Sequence, residues 1–293
     1  MKLLVTGGSG GIGTYVVAEL AQAGHQVISF DRQLPQDPQQ AWAARQRGIY
    51  YRVGDHEDLG NLVEVSAGVD AIVHLSAIPA PGTYPNTTVF RTNVLGTFNV
   101  HEAAAICGVP LVVSTSSQSA YGFAYQHHPF LPRYLPLDEE HPDLSQDSYG
   151  LSKMVGEQIA HGFHRRNGMR VCSIRPPWVT LPFFYTQEWF RGMLAPKEWN
   201  GSLFSYVDVR DLAVVYRMVV EAQAELIQDE VFNVAADDAL AQEPLAELLP
   251  RLDPGLAPLA ASIPRGRSMV SAERIKQRLG WAPRYSWREF VSL

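Results

Sequence analysis

Residues 2–31 hold the feature that most constrains the fold. LLV is a short apolar run, TGGSGGIG follows it, TYVVAELAQAG has helical periodicity, and HQVISF is a second apolar run that ends at Asp31. This order of strand, glycine-rich turn, helix, strand and acid is the setting in which a glycine triad binds a dinucleotide. We therefore expect Gly7, Gly10 and Gly13 to let the backbone approach a pyrophosphate at the amino end of the helix.

Asp31 indicates which dinucleotide is bound. An acid about 20 residues beyond the glycines binds the ribose hydroxyls of adenosine, and its charge repels a 2′-phosphate. The prediction is NAD, with NADP less favoured, although the neighbouring Arg32 weakens this preference. The other interpretation of Asp31 is a plain turn residue.

The alternation of apolar runs and helical patterns continues along the chain. The segments that predict strands are GIYYRVGDH, VDAIVHLSA, VPLVVSTSS, MRVCSIRPP, SLFSYVDV and EVFNVAAD, and helical patterns separate most of them. Near-continuous apolar strands alternating with helices predict an α/β fold with a Rossmann-type doubly wound parallel sheet, covered on both faces. Ligands bind at the carboxyl ends of the strands in such a sheet.

The regular pattern breaks after Pro176. The next stretch, PPWVTLPFFYTQEWFRGMLAPKEWNGS, is rich in proline and aromatic residues, and a helix-rich tail closes the chain. We expect a nucleotide-binding domain made of residues 1–176 and 206–236. Residues 177–205 and 237–293 are expected to form a small C-terminal substrate-binding lobe.

The composition describes a globular chain with a sizeable core. The 293 residues are 46% hydrophobic and 18% charged, and the net charge of −6 argues against nucleic acid as the main partner. No stretch has the apolar length of a membrane span, and MKLLVTGGSGG turns glycine-rich too early for a signal peptide. Cys107 and Cys172 lie in apolar runs, which indicates free thiols in a reducing compartment. We therefore expect a cytoplasmic protein with a small-molecule partner.

The stretch LSQDSYGLSKMVGEQIA places Tyr149 and Lys153 four residues apart, one turn of a predicted helix. An ammonium group beside a phenol lowers the pKa of the phenol and suits it to proton transfer near neutral pH. An ordinary surface pair on a helix face has the same spacing. The spacing alone leaves both interpretations open.

The order of the motifs decides between them. TGGSGGIG, Asp31, HLSA, SSQSAYG, YGLSK and RPPWV follow one another as in the extended short-chain dehydrogenase/reductases, and the chain resembles the NAD-dependent epimerase/dehydratase family most. The resemblance implies that Tyr149 is the catalytic acid/base, that Lys153 lowers its pKa and holds the nicotinamide ribose, and that Ser117 hydrogen-bonds the reacting oxygen. The motifs and the resemblance together imply these cofactor-binding residues: Gly7, Gly10, Gly11, Ile12, Gly13, Asp31, Arg32, Asp55, His56, Leu75, Ser76, Ala77, Asn93, Tyr149, Lys153, Pro176, Trp178 and Val179.

Departures from the family patterns narrow the substrate. Gln118 and Ser119 stand where sugar-nucleotide dehydratases carry an acid pair, and Trp178 stands where epimerases usually carry an asparagine. The substrate candidates are Ser119, Trp178 and Phe204, and a wider aromatic set is predicted to line the lobe or its core. That set is Trp178, Phe183, Phe184, Tyr185, Trp189, Trp199 and Phe204.

Three functions remain open from the sequence. The first is an NAD(P)-dependent oxidoreductase that acts on a secondary alcohol of a sugar or sugar acid, with a loose similarity to uronate and aldose dehydrogenases. The second is a UDP-sugar 4-epimerase. The cations that could bind the diphosphate of its substrate are Arg191, Lys197, Arg265 and Arg267. The third is a catalytically silent NAD(P)-sensing protein. The resemblance to the family also implies a homodimer. We expect no metal site.

Overall fold

A computed structural model describes residues 1–34, 43–199, 201 and 203–292. The strands are β1 (Lys2–Thr6), β2 (Gln26–Asp31), β3 (Ile49–Val53), β4 (Ala71–His74), β5 (Leu111–Thr115), β6 (Arg170–Arg175), β7 (Trp178–Thr180), β8 (Tyr206–Asp208) and β9 (Asp229–Asn233). The helices with both ends described are α1 (Gly13–Gln22), α2 (Leu59–Ser66), α3 (Asn86–Cys107), α4 (Ser148–Asn167), α5 (Glu188–Met193), α6 (Val209–Glu221), α7 (Leu245–Leu252), α8 (Ala257–Ala260) and α9 (Glu273–Leu279).

Seven strands form one parallel sheet in the order β3-β2-β1-β4-β5-β6-β9. The chain builds outward from β1 to one side and then returns to build outward on the other, so the order reverses between β1 and β4. A ligand is expected outside the carboxyl ends of the strands at this point.

Buried apolar side chains cover both faces of this sheet. One core packs α1 and α6 against the strands, and the other packs α2, α3 and α4 against the opposite face. The apolar strands need cover on both sides because neither of their faces is polar enough to meet water. The predicted fold class, a doubly wound Rossmann-type sheet, is confirmed.

Two predicted strand assignments change in detail. The strand predicted in GIYYRVGDH ends at Val53, and Asp55 already lies in a turn in which its amide donates to Asn61 Oδ1 at 3.1 Å. The strand predicted around SLFSYVDV is β8, and it pairs with β7 in a separate two-stranded sheet.

The C-terminal part adds two further apolar clusters. One joins Tyr121, Leu137 and Phe204 to α7, and the other gathers Tyr185, Phe190, Trp287 and their neighbours. In contrast, Ala272, Ile275 and Trp281 of the tail pack into the core of the main sheet. The division into a nucleotide-binding domain and a lobe stays a prediction, and residues 200, 202 and 293 of that lobe lie outside the described residues.

Candidate active site

The glycine loop folds tightly against itself and the end of β4. The Gly7 amide donates to the Phe30 carbonyl at 2.8 Å, and Gly7 has φ of 71°, where a side chain is strained. A Cβ on Gly7 would lie 2.8 Å from the Ser76 amide nitrogen, and a Cβ on Gly13 would lie 2.0 Å from the Gly7 carbonyl oxygen. The turn from β1 into α1 therefore requires glycine at both positions.

A cavity of about 250 Å³ opens between this loop and the ends of β2 and β4. It brings together eight residues that the sequence assigned to the cofactor. They are Gly7, Gly10, Asp31, Arg32, His56, Leu75, Ser76 and Ala77.

Charged side chains at this cavity are already oriented by the protein. The Asp31 carboxylate accepts hydrogen bonds from the amides of Ser9 at 3.0 Å and Arg32 at 2.7 Å. The Arg32 guanidinium pairs with Asp55 at 3.0 Å and with Glu57 at 3.3 Å. Two acids thus offset the charge of Arg32. Arg32 therefore weakens the preference for NAD over NADP less than expected from its position beside Asp31 in the sequence. The predicted contact of Asp55 with the cofactor competes with this ion pair.

Asn93 acts on the backbone beside the cavity. Its Oδ1 accepts from the Ile78 amide at 2.8 Å, and its Nδ2 donates to the Ile78 carbonyl at 3.1 Å and to Ser152 Oγ at 3.0 Å. Ser152 lies on α4, so Asn93 ties the segment that follows β4 to that helix. We interpret it as a residue that positions the cleft.

A second cavity of about 470 Å³ lies at the ends of β5 and β6. It brings Ser117 and Tyr149 together with the substrate candidates Ser119 and Trp178. The remaining predicted residues at its wall are Gly11, Ile12, Pro176 and Val179. The end of the glycine loop therefore borders the predicted catalytic groups.

The start of α4 places Tyr149 in this cavity. Asp147 is the N-cap of the helix, and its Oδ1 accepts from the amides of Tyr149 and Gly150, each at 2.9 Å. Such a cap fixes the first turn, so Tyr149 and Lys153 follow on one face. The sequence carries a signal for this cap, because an aspartate stands two residues before Tyr149.

Burial dominates the acidity of Tyr149. It raises the pKa of Tyr149 to about 12, the hydrogen bond with Ser117 opposes the rise, and the charges of Tyr125 and Asp147 add to it. The expectation that Lys153 lowers this pKa is not met in this geometry. The Lys153 Nζ lies 5.5 Å from the centroid of the Tyr149 ring and donates to the Thr115 carbonyl at 2.7 Å instead.

Lys153 is itself shifted toward neutrality. Burial lowers the pKa of Lys153 to about 8, and the Glu157 carboxylate opposes this change. An ammonium group that loses its charge this readily near neutral pH is sensitive to any charge brought next to it.

A buried ion pair behind the cavity escaped the sequence analysis. Arg175 donates twice to Glu157, at 2.7 and 2.6 Å, and both side chains are 4% exposed. Glu157 also accepts from Ser116 Oγ at 2.5 Å, directly before Ser117 in the chain. Glu157 follows Lys153 by one helical turn, so the spacing in YGLSKMVGE was an available signal.

The sequence analysis missed Tyr125, and five predicted residues are absent from the described linings of both cavities: Gly13, Asp55, Asn93, Lys153 and Phe204. The Tyr125 ring lines the catalytic cavity perpendicular to Tyr149, with 6.4 Å between centroids. Phe204 packs in the core beside Trp199, and Asp55 lies outside both cavity linings. Of the seven aromatic candidates, Trp178 is the one in the described lining of the catalytic cavity.

The adjacent histidines His127 and His128 lie in a loop, where the backbone amides of both donate to Gln146 Oε1. Within the described ranges, no group of three or more histidine, cysteine, aspartate or glutamate residues is arranged to hold a metal. None of the helices described above has the length and apolar character needed to cross a membrane.

The comparison with known families decides the classification. Residues 3–235 match the NAD dependent epimerase/dehydratase family. The chain belongs to this family. The resemblance drawn from the motifs is confirmed, and the predicted cofactor, NAD, is confirmed at the level of the family, whose dinucleotide the tight glycine turn and the oriented Asp31 fit.

Relatives within the epimerase/dehydratase family include a dehydrogenase and an epimerase. The chain is 30% identical to uronate dehydrogenase of Pseudomonas putida over 59% of each protein, so it spans less than two thirds of that relative. It is 24% identical to UDP-glucose 4-epimerase of Corynebacterium glutamicum over 98% of this chain and 92% of the relative. A solved short-chain dehydrogenase/reductase superfamily protein from Agrobacterium tumefaciens, with bound NAD, has a TM-score of 0.71 and 25% identity, and the match covers 99% of this chain and 95% of that one.

Proposed function

We propose that the protein is an NAD-dependent oxidoreductase that oxidises a secondary alcohol of a sugar or sugar acid with a Ser117–Tyr149–Lys153 site. The observation that carries this proposal is the catalytic cavity, which Tyr149 and Ser117 line together with Gly11 and Ile12 of the glycine loop. A reacting alcohol in this cavity would lie between a proton acceptor and the cofactor-binding turn.

The two cavities divide the work of holding the cofactor. The adenosine half would lie against the glycine loop and Asp31, and the nicotinamide half would lie toward Tyr149 and Val179. Bound NAD would supply the acceptor for the hydride that leaves the alcohol carbon.

The proton of the alcohol is the part that the protein handles. Tyr149 takes the hydroxyl proton as the carbonyl forms, and Ser117 donates a hydrogen bond to the oxygen on which charge develops. The hydrogen bond between these two side chains favours the phenolate, against the effect of burial. The single Ser117 hydroxyl hydrogen would thus serve the phenolate first and turn to the reacting oxygen as Tyr149 takes up the proton.

A UDP-sugar 4-epimerase is the alternative. The alignment with an epimerase over 98% of this chain favours it, because the dehydrogenase alignment is shorter. The same residues would serve, with hydride returned to the opposite face of the sugar and no net redox change. A catalytically silent NAD-sensing protein is the third candidate, and the presence of both Tyr149 and Lys153, one turn apart on α4, argues against it.

NADH absorbance separates these functions. Wild-type protein and a Tyr149→Phe variant are incubated with NAD and free aldoses, uronic acids or UDP-sugars, and the products are also examined for sugar isomers. Growth of NADH with a free sugar, reduced about 10²- to 10⁴-fold in the variant, supports the dehydrogenase. Isomer exchange of a UDP-sugar without net NADH supports the epimerase. Silence in both assays, with NAD still bound, contradicts the catalytic assignment.

A homodimer formed through α3 and α4 is part of the proposal. Phe90, Leu95, Phe98 and Leu151 on these helices are 37–44% exposed, more apolar surface than two neighbouring helices of a monomer need to show. Light scattering on a Leu95→Glu variant tests this, with Trp189→Glu, a change at another exposed apolar residue, as the control.

We place the enzyme in the cytoplasm, in keeping with the free thiols of Cys107 and Cys172.

A further inference from the structure

The catalytic cavity is lined by uncharged side chains. Its polar side-chain groups are hydroxyls, the Gln118 amide and the Trp178 indole N–H, and its described lining has no lysine, arginine, histidine, aspartate or glutamate. The residues outside the described part of the chain, 35–42, 200, 202 and 293, include no lysine or arginine. A cation for an anionic substrate is therefore not hidden among them.

The two cations nearest to the cavity along the chain are committed to protein groups. Lys153 donates to the Thr115 carbonyl at 2.7 Å. Arg175 lies beside the lining residue Pro176, but it pairs with Glu157 at 2.6 Å and Asp143 at 2.9 Å. The cations expected to hold a diphosphate, Arg191, Lys197, Arg265 and Arg267, are absent from the described lining.

A negative charge lies behind the lining, at Asp147, and acts on two tyrosines that line the cavity. Asp147 is 5% exposed, and its Oδ2 has no hydrogen-bond partner among the described groups. The charge of this carboxylate contributes to the raised pKa of both Tyr149 and Tyr125, after the larger effect of burial. An anion brought into the cavity would meet this field without a cation in the described lining, because Lys153 lies behind Tyr149 and donates to the Thr115 carbonyl.

We propose that the cavity selects an uncharged polyhydroxylated ring, a neutral sugar or cyclic polyol, and discriminates against sugar acids and sugar nucleotides. This inference rests on the proposed oxidoreductase function. The hydroxyls of Ser119 and Tyr125 match those of such a ring, and Trp178 offers a flat apolar face that Phe184 holds by stacking at 5.7 Å. A carboxylate or diphosphate would lose its water there without gaining a cationic partner from the described lining.

The test compares matched pairs of substrates. Galactose and galacturonate, or glucose and glucuronate, share a ring and differ in charge. We expect kcat/KM with NAD to be at least about 100-fold higher for the neutral member, because an unpaired buried charge is costly. Equal values, or a preference for the acid, would overturn the inference while leaving the oxidoreductase function in place.

A charge introduced at the cavity tests the cause of the selection. Tyr125 lines the cavity and is 39% exposed, so a long side chain fits there. Tyr125→Arg should reduce the ratio of kcat/KM for the neutral sugar to that for the acid by about 10-fold or more. Tyr125→Gln removes the ring without adding charge and should leave this ratio unchanged. An unchanged preference in the arginine variant would contradict selection by charge.

Binding separates this inference from the proposed function. Calorimetry on the NAD complex of Tyr149→Phe measures the affinity for each sugar without turnover. Should wild-type protein oxidise none of the sugars, the proposed function fails. Tighter binding of galactose than of galacturonate to the variant still supports selection of neutral rings. Binding of the acid with equal or greater affinity, or of neither sugar, overturns it.

Discussion

The two ends of the cleft are built in different ways. At the adenosine end, the glycine backbone shapes the cavity, and the ion pair between Arg32 and Asp55 joins side chains that are 53% and 44% exposed. At the catalytic end, Tyr149 and Ser117 are buried, and the ion pair behind them, Arg175 with Glu157, is 4% exposed on each side. Water therefore screens the charges of one end and hardly reaches those of the other.

This difference assigns different tasks to the two ends. Exposed ion pairs contribute little free energy, so the adenosine end depends on the fit of its backbone. Buried charges carry large penalties when a partner is lost, so the catalytic end depends on complete side-chain networks. Substitutions that target backbone fit and charge pairing should then act unequally at the two ends.

Glu157→Gln should have the largest effect. It removes the charge that pairs with Arg175 and replaces one of the two accepting oxygens by an NH2 donor, so Asp143 stays as the acidic partner of a buried guanidinium. We expect a loss of about 3–5 kcal/mol in the free energy of unfolding, measured by urea denaturation. Glu102→Gln is the control, because it breaks an arginine pair of equal length, 2.6 Å, at a residue that is more exposed, and it should cost less than about 1 kcal/mol. Equal losses would contradict the contrast between the two kinds of pair.

Gly13→Ala tests backbone fit at the adenosine end. The new Cβ would lie 2.0 Å from the Gly7 carbonyl oxygen, so the loop must shift, at a cost of about 1–3 kcal/mol. Gly11→Ala places its Cβ 3.8 Å from Leu181 Cδ1, an ordinary van der Waals distance, and should leave stability unchanged. Thermal unfolding without NAD measures both variants. A stable Gly13→Ala protein would show that the loop adapts and that glycine is not required there.

The adenosine end was the more predictable from sequence for the same reason. Gly7, Gly10 and Asp31 are fixed by the chain within a single strand–helix–strand unit, and glycine is the residue that tight backbone contacts demand. Local sequence therefore carries the geometry. Asp55 was interpreted less well, because its partner Arg32 comes from a different strand end.

The catalytic end was predicted only as far as motifs reach. YGLSK placed Tyr149 and Lys153, but the rise in the Tyr149 pKa follows from burial, which depends on how four segments pack together. Tyr125 comes to the cavity from a loop without a periodic pattern. Phe204, one of many aromatic residues, went to the core, since packing of large apolar side chains is the more common fate.

Asp31→Asn should change cofactor choice more than it changes stability. The asparagine oxygen still accepts from a backbone amide, but the charge that repels a 2′-phosphate is gone, and Arg32 remains. We expect the ratio of kcat/KM for NADP to that for NAD to rise about 10-fold. Asp58→Asn, a change at the N-cap of α2 outside the described cavity linings, serves as the control. A ratio that stays constant would return Asp31 to a turn role.

The smallest effect that we predict is a pair of opposite shifts at the catalytic end. Oxidation requires Tyr149 to accept a proton, so the rate rises with pH as Tyr149 deprotonates. Burial causes the largest change in the pKa of Tyr149, a rise. The Ser117 hydrogen bond lowers this pKa, and the Asp147 charge raises it further. Ser117→Ala should therefore move the rising limb of kcat against pH to higher pH, and Asp147→Asn should move it to lower pH.

Asparagine can keep the N-cap of α4 because its side-chain oxygen accepts the same amide hydrogen bonds. The shift in Asp147→Asn then reports charge rather than a disordered first turn, and circular dichroism checks that the helix is intact. Shifts of the same sign in both variants would mean that Tyr149 does not set the limb. A Lys153→Met variant that removed the limb would then assign it to Lys153, whose pKa burial lowers to about 8. Opposite shifts would mean that the acidity of Tyr149 is set by its buried neighbours, whereas the glycine loop acts through its shape.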